Sequence, residues 1–153
     1  RSKDYFDNAT PSGNSVAAAV LLRLAILTSN ERYRELAEKV LAIIADQARR
    51  YPSGFGYALS AADFLLSSPK EVAIVGKDER DLQPLLKETW RKYLPNKVVA
   101  PGVITESDAL GSIPLLENRP LLDDRATAYV CQHYVCHQPV NDVQALAAEL
   151  DEI

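Results

Sequence analysis

Methionine is absent from the chain, even at position 1, so the sequence is expected to be a piece excised from a longer one. Cysteine is scarce: two in 153 residues are too few to staple a secreted scaffold of this size, and they fit a reducing compartment. No apolar run approaches the ~18 residues that a membrane-spanning helix needs. The start Arg1-Ser2-Lys3-Asp4-Tyr5-Phe6-Asp7 lacks the apolar stretch of a signal peptide. Positive charge is not in excess either. With 17 Lys and Arg against 21 Asp and Glu, the formal net charge is -4, which leaves no electrostatic footprint for nucleic acid or an anionic membrane. These absences predict a cytoplasmic protein with neither kind of partner.

What is present is an ordinary globular composition, 47% hydrophobic and 25% charged, long enough for one or two domains with a real core. The first half reads as helices. Residues 14–28 carry one charge, Arg23, and are apolar nearly all round, the pattern of a helix with neighbours on every side. Thr28 and Glu31 stand at capping-box spacing and predict a second helix from Glu31 to about Arg50. In it Tyr33, Leu36, Ala37, Val40, Leu41, Ile44 and Ala48 recur at helical intervals, leaving a wet face. Pro52, Ser53, Gly54 and Gly56 break the pattern before a third apolar helix over Tyr57–Leu66.

The period changes at Lys70. Residues 71–76 form a β-branched run ending in Gly76, 81–93 a helical stretch around Leu82, Leu85, Leu86 and Trp90, and 97–100 another short strand. A right-handed crossover makes these two strands parallel, and Thr127–Cys131 is a candidate third strand of the same small sheet. Residues 105–125 read as a short helix and a loop, and 142–150 as a closing helix capped by Asn141 or Asp142. The predicted class is therefore α+β: a helical segment over 1–69, then a small α/β region with a short parallel sheet over 70–153.

Chemistry-bearing residues gather in two places. In Asp7-Asn8-Ala9-Thr10-Pro11-Ser12-Gly13-Asn14-Ser15, Thr10 is expected to cap and Pro11 to take the first helical position. The amides of the first turn, with Ser12, Asn14 and Ser15, then form a polar cup suited to a sugar hydroxyl or an anionic group. Asp7 would accept a hydroxyl hydrogen bond or act as acid or base. The alternative is structural, with these groups satisfying helix-end amides. Glycoside hydrolysis needs two carboxyl groups about 5 to 10 Å apart, and only Asp63 offers itself as a partner to Asp7.

The second gathering, Cys131-Gln132-His133-Tyr134-Val135-Cys136-His137, holds both cysteines and both histidines. The spacing does not suit zinc, whose ligands come from separated knuckles, nor does it match the usual dithiol motif. Cys131 and Cys136 would face opposite ways on a continuous strand, and a turn between them would be needed to close a disulfide. Two ordinary, partly buried thiols are the plainest reading, and a redox or disulfide pair the sharper one. Val75-Gly76-Lys77-Asp78 lacks either phosphate-binding glycine pattern and reads as a strand-to-helix turn, so no cofactor is predicted.

Residues 7–15, the paired helices, residues 71–76, and Ala128-Tyr129-Val130-Cys131 with Cys136 and Pro139 together resemble the carboxy-terminal part of the spermatogenesis-associated thioredoxin-like family. Asn8 stands where that pattern has Gly, a mild departure because Asn also tolerates a left-handed backbone. The resemblance implies an amino-terminal thioredoxin-like domain and a six-hairpin, glycosidase-like (α/α) toroid, of which this chain would hold the last helices plus the terminal α/β region. It implies that Asp7, Ser12, Asn14 and Ser15 rim a cavity for a sugar-like molecule. A noncatalytic scaffold, or a redox-accessory module working through Cys131 and Cys136 for the missing domain, is the alternative. A piece severed from such a toroid is expected to self-associate through uncovered apolar helix faces.

Overall fold

The computed structural model describes residues 5–104, 113–132 and 135–151. The chain divides into two units, Arg1–Ser68 and Pro69–Ile153. Among the described residues no helix is long and apolar enough to cross a membrane.

The first unit holds α1 (Gly13–Thr28), α2 (Glu31–Arg50), a 3-10 turn over Pro52–Gly54, and α3 (Gly56–Leu66). Helix α1 packs on both α2 and α3 through small residues, with Ser15, Ala18, Ala19 and Leu22 buried. It is not enclosed on every side, as its composition predicted. Val16 and Val20 remain 39% and 48% exposed, because two neighbours cannot surround a cylinder. The lone charge, Arg23, donates to the Ala19 carbonyl at 3.0 Å and lies over the Phe64 ring, so its cation is accommodated beside an apolar face. Helix α2 buries Ala37, Leu41, Ile44 and Ala48 at helical spacing; Leu36, expected on that face, is 39% exposed.

Helix starts differ from the sequence reading in a consistent way. Ser12, not Thr10, caps α1, and the helix begins at Gly13. The predicted capping box of Thr28 and Glu31 is not formed. Asn30 instead caps α2 by accepting from the Arg32 amide at 3.1 Å, while the Thr28 hydroxyl donates back to the Leu24 carbonyl at 2.7 Å. Ser29 adopts a left-handed conformation with φ 51° and closes α1, which leaves Asn30 the position nearest the new helix.

The second unit is a four-stranded sheet in the order β2-β1-β3-β4, made of β1 (Lys70–Gly76), β2 (Lys97–Val103), β3 (Thr127–Gln132) and β4 (Val135–Cys136). Helix α4 (Glu79–Arg91) joins the parallel pair β1 and β2, and α5 (Val143–Asp151) closes the chain. The sheet is mixed, not the short parallel sheet expected. Strand β3 lies beside β1 on the side away from β2 and runs antiparallel to it, with Thr127 opposite Val75; residues 105–112 of the short helix and loop expected over 105–125 lie outside the described residues.

Strand β1 is buried on both faces except at Glu71, which explains its unbroken apolar run. Val72, Ile74, Ala128 and Val130 form one core with Leu82 and Leu85 of α4 and Leu146 and Leu150 of α5. Asp78 caps α4 by accepting from the Arg80 and Asp81 amides at 2.7 and 2.9 Å, and Asp142 does the same for α5. A Cβ at Gly76 would lie 2.9 Å from a Leu82 methyl and 3.2 Å from Asp81 Cβ, so glycine lets the start of α4 pack closely on this turn.

Leu146 is fully buried in that core. Leu146→Ala is expected to lower the stability of the α/β unit by about 2–5 kcal/mol, read as a shift of its urea midpoint; a change within error would contradict the assigned core.

Candidate functional site

The polar segment at 7–15 folds into a clasp centred on Asp7. One carboxylate oxygen accepts from the Ser12 amide at 2.8 Å. The other accepts from the Tyr57 and Ala58 amides at 2.9 and 3.0 Å. The Asp7 amide donates to the Gly54 carbonyl at 2.8 Å. Helix α3 begins after Phe55, whose side chain cannot cap, so its open amides take their acceptor from a residue about fifty positions away in sequence. Ser12 and Ser15 complete the clasp: their hydroxyls lie 2.8 Å apart, and the Ser12 hydroxyl oxygen accepts from the Ser15 amide at 3.2 Å. Ser15 is fully buried and Ser12 nearly so.

Burial by itself would raise the Asp7 carboxyl pKa, but hydrogen bonds from the Ser12 and Ala58 amides, the Ser15 hydroxyl and the Tyr57 amide together hold it below the ordinary 3.8. At neutral pH it is an anion at the positive ends of two helices, with both oxygens occupied. An apolar wall backs it. The Phe6 and Phe55 rings stand 4.9 Å apart, and a Cβ at Gly54 would come within 2.8 Å of the Phe6 ring.

Three of the four candidate binding residues, Asp7, Ser12 and Ser15, are thus brought together. Asn14 sits half-exposed in the first turn of α1. Asp63 is exposed on α3, roughly a turn and a half beyond Ala58. The α3 amides, Phe6 and Phe55 were missed from sequence. The available signal was the run Gly54-Phe55-Gly56, a helix start with no capping side chain.

The cysteines form a second cluster. Cys131 and Cys136 face each other across the antiparallel pair β3 and β4 and are joined as a disulfide, so they are not the ordinary thiols expected. The reversal that sequence spacing demanded is supplied by the β3–β4 hairpin; His133 and Tyr134 lie outside the described residues. Cys131 is 2% exposed, whereas Cys136 is exposed. Arg119, which the sequence did not single out, points one guanidinium nitrogen at both sulfurs, 3.5 Å from Cys131 Sγ and 3.4 Å from Cys136 Sγ. The guanidinium lies 4.8 Å from the Tyr129 ring centre, and its buried Nε has no hydrogen-bond partner among the described residues.

Glu71 pairs in register with Cys131. Burial raises its carboxyl pKa, and the Arg119 charge opposes that rise. Next along the chain, His137 Nδ1 pairs with a Glu149 carboxylate oxygen.

Spermatogenesis-associated protein 20 of Homo sapiens is 32% identical over 144 residues, 93% of this chain and 18% of that protein. The proteins of the same name from Rattus norvegicus and Mus musculus are 32% and 30% identical over the same extent. The chain therefore spans less than a fifth of the length of these curated relatives. Their name agrees with the family resemblance drawn from the sequence. No family model matches the chain, and no solved structure matches it significantly.

If Asp7 holds two helix starts, Asp7→Ala is expected to destabilise the helical unit by about 1–2 kcal/mol at pH 7. Because the folded pKa is depressed, that contribution is present above 3.8 and is lost as pH falls through the folded value. Urea denaturation of wild type and variant should therefore converge in acid; a constant gap, or none at pH 7, would refute the clasp.

Proposed function

We propose that this homologue of spermatogenesis-associated protein 20 acts as a noncatalytic scaffold segment of a longer protein. In this reading its helical unit supplies part of an (α/α) toroid, and its α/β unit is an appended module serving the rest of the same chain, including a thioredoxin-like domain. One observation carries the proposal: both Asp7 oxygens are engaged by amides from two helix starts. A carboxylate so engaged is a poor general acid and an encumbered nucleophile. A sugar-like ligand at Asp7, Ser12 and Ser15 would have to break hydrogen bonds within the clasp before forming its own.

The apolar helix faces support a partner of the same kind. Val16 and Val20 on α1, Leu36 and Ile43 on α2, and Leu59 and Leu66 on α3 are all exposed by more than a third. Such side chains are what neighbouring toroid helices would cover. In their absence a second copy of the chain offers the same chemistry.

Two measurements test this reading. Light scattering is expected to give a mass that rises with concentration above the 16.9 kDa of one chain; a strictly monomeric mass at high concentration would contradict uncovered docking faces. Hydrogen exchange with a panel of sugars and sugar phosphates is expected to leave residues 7–15 unchanged. Ligand-dependent protection there would replace the scaffold reading with the carbohydrate-binding one.

A further inference from the structure

The geometry points to the Cys131–Cys136 pair as a thiol–disulfide exchange site that takes a dithiol reductant at Cys136 and releases Cys131 as a thiolate held by Arg119. The inference stands apart from the scaffold reading, since it concerns only the sheet face bearing Glu71, Tyr129 and Cys131.

Accessibility sets the direction of attack. Cys136 is exposed on the short strand β4, and Cys131 is 2% exposed on β3, so an incoming thiolate reaches Cys136 Sγ. The leaving group is then Cys131 Sγ, and its surroundings favour charge. An Arg119 nitrogen already lies 3.5 Å away. The guanidinium acts electrostatically on the Glu71 carboxyl, but the hydrogen-bond acceptors its terminal nitrogen meets in the disulfide form are weakly accepting, neutral sulfurs. Among the described residues no carboxylate forms an ion pair with it, and its buried Nε lacks an acceptor. A thiolate at position 131 would supply an anionic acceptor in direct contact, through a charge-assisted hydrogen bond. Tyr129 holds the guanidinium in place from one side by its ring, and is itself fixed by donating its hydroxyl to the Pro120 carbonyl at 2.6 Å. Reduction therefore gives the Arg119 cation an anionic hydrogen-bond acceptor in place of a neutral sulfur.

The step balances as ordinary exchange. A thiolate of the dithiol forms a bond to Cys136 Sγ; the Cys131–Cys136 bond breaks, and its electron pair stays on Cys131 Sγ. The second sulfur of the dithiol, once deprotonated, attacks the first, and Cys136 leaves and takes up a proton. The reductant departs as its own disulfide, having given two electrons. Of its two protons, one ends on Cys136 and the other passes to solvent.

The whole 153-residue chain, equilibrated in dithiothreitol buffers of graded reduced-to-oxidised ratio and read by alkylation and mass spectrometry, tests this. Arg119→Gln is expected to shift the equilibrium about tenfold toward the disulfide, a potential lower by ~30 mV, while Arg119→Lys retains most of the wild-type value. Unmodified protein treated briefly with glutathione and quenched in acid is expected to carry the mixed disulfide on Cys136. Equal equilibria for wild type and Arg119→Gln, a mixed disulfide on Cys131, or two free thiols in the air-oxidised protein would each overturn the proposal. The glutathione mapping needs no variant, so it decides the matter even if Arg119→Gln does not fold.

Discussion

The first amides of a helix have no acceptor within the helix, and at the start of α3 this constraint is met by a carboxylate that also holds the capping residue of α1. Helix α1 has a capping serine of its own; α3 starts after a phenylalanine and has none. Asp7 accepts from both starts, and its placement brings Phe6 against Phe55 and makes Gly54 necessary. Polar and apolar parts of the corner therefore depend on the same residue. The positive helix ends hold its charge in place, and the charge in turn fixes the arm that precedes α1.

The α/β unit meets the same constraint at the opposite ends of its helices. Lys70 and Lys97 begin the two parallel strands and pair in register. Both are nearly buried. Lys70 donates to the Glu149 carbonyl in the last turn of α5 at 3.0 Å, and Lys97 reaches the Thr89 carbonyl near the end of α4 while lying over the Trp90 ring. Burial lowers the Lys97 pKa, yet the carbonyls at the negative helix end are suitable acceptors for its ammonium. With one sheet face closed by α4 and α5, the other is free for the 3-10 turn Pro114–Leu116 and for the Arg119 and disulfide cluster.

Sequence periodicity located the five helices and three longer strands because their apolar spacing is local information. It exposed the interior of β1 and the cap of α5, where the capping aspartate precedes its helix directly; the cap of α4, Asp78, was read only as part of a turn. It failed where an acceptor comes from far away. Nothing near Phe55 names Asp7, and nothing in the spacing of Cys131 and Cys136 names Arg119. Strand direction was lost for a related reason: β3 pairs antiparallel with β1, and the alternation of apolar residues along a strand is the same in either direction. The clustering of Asp7, Ser12 and Ser15 was legible; that these groups engage each other and a second helix was not.

The central claim is that Asp7 is an anion consumed in holding helix starts together. Carbon-13 NMR titration of its side-chain carboxyl in the folded chain tests it most directly. The account predicts a midpoint below the ordinary 3.8, because four hydrogen bonds outweigh burial; a midpoint at or above 3.8 would mean that the carboxyl is unclasped or poised as an acid, and would contradict it.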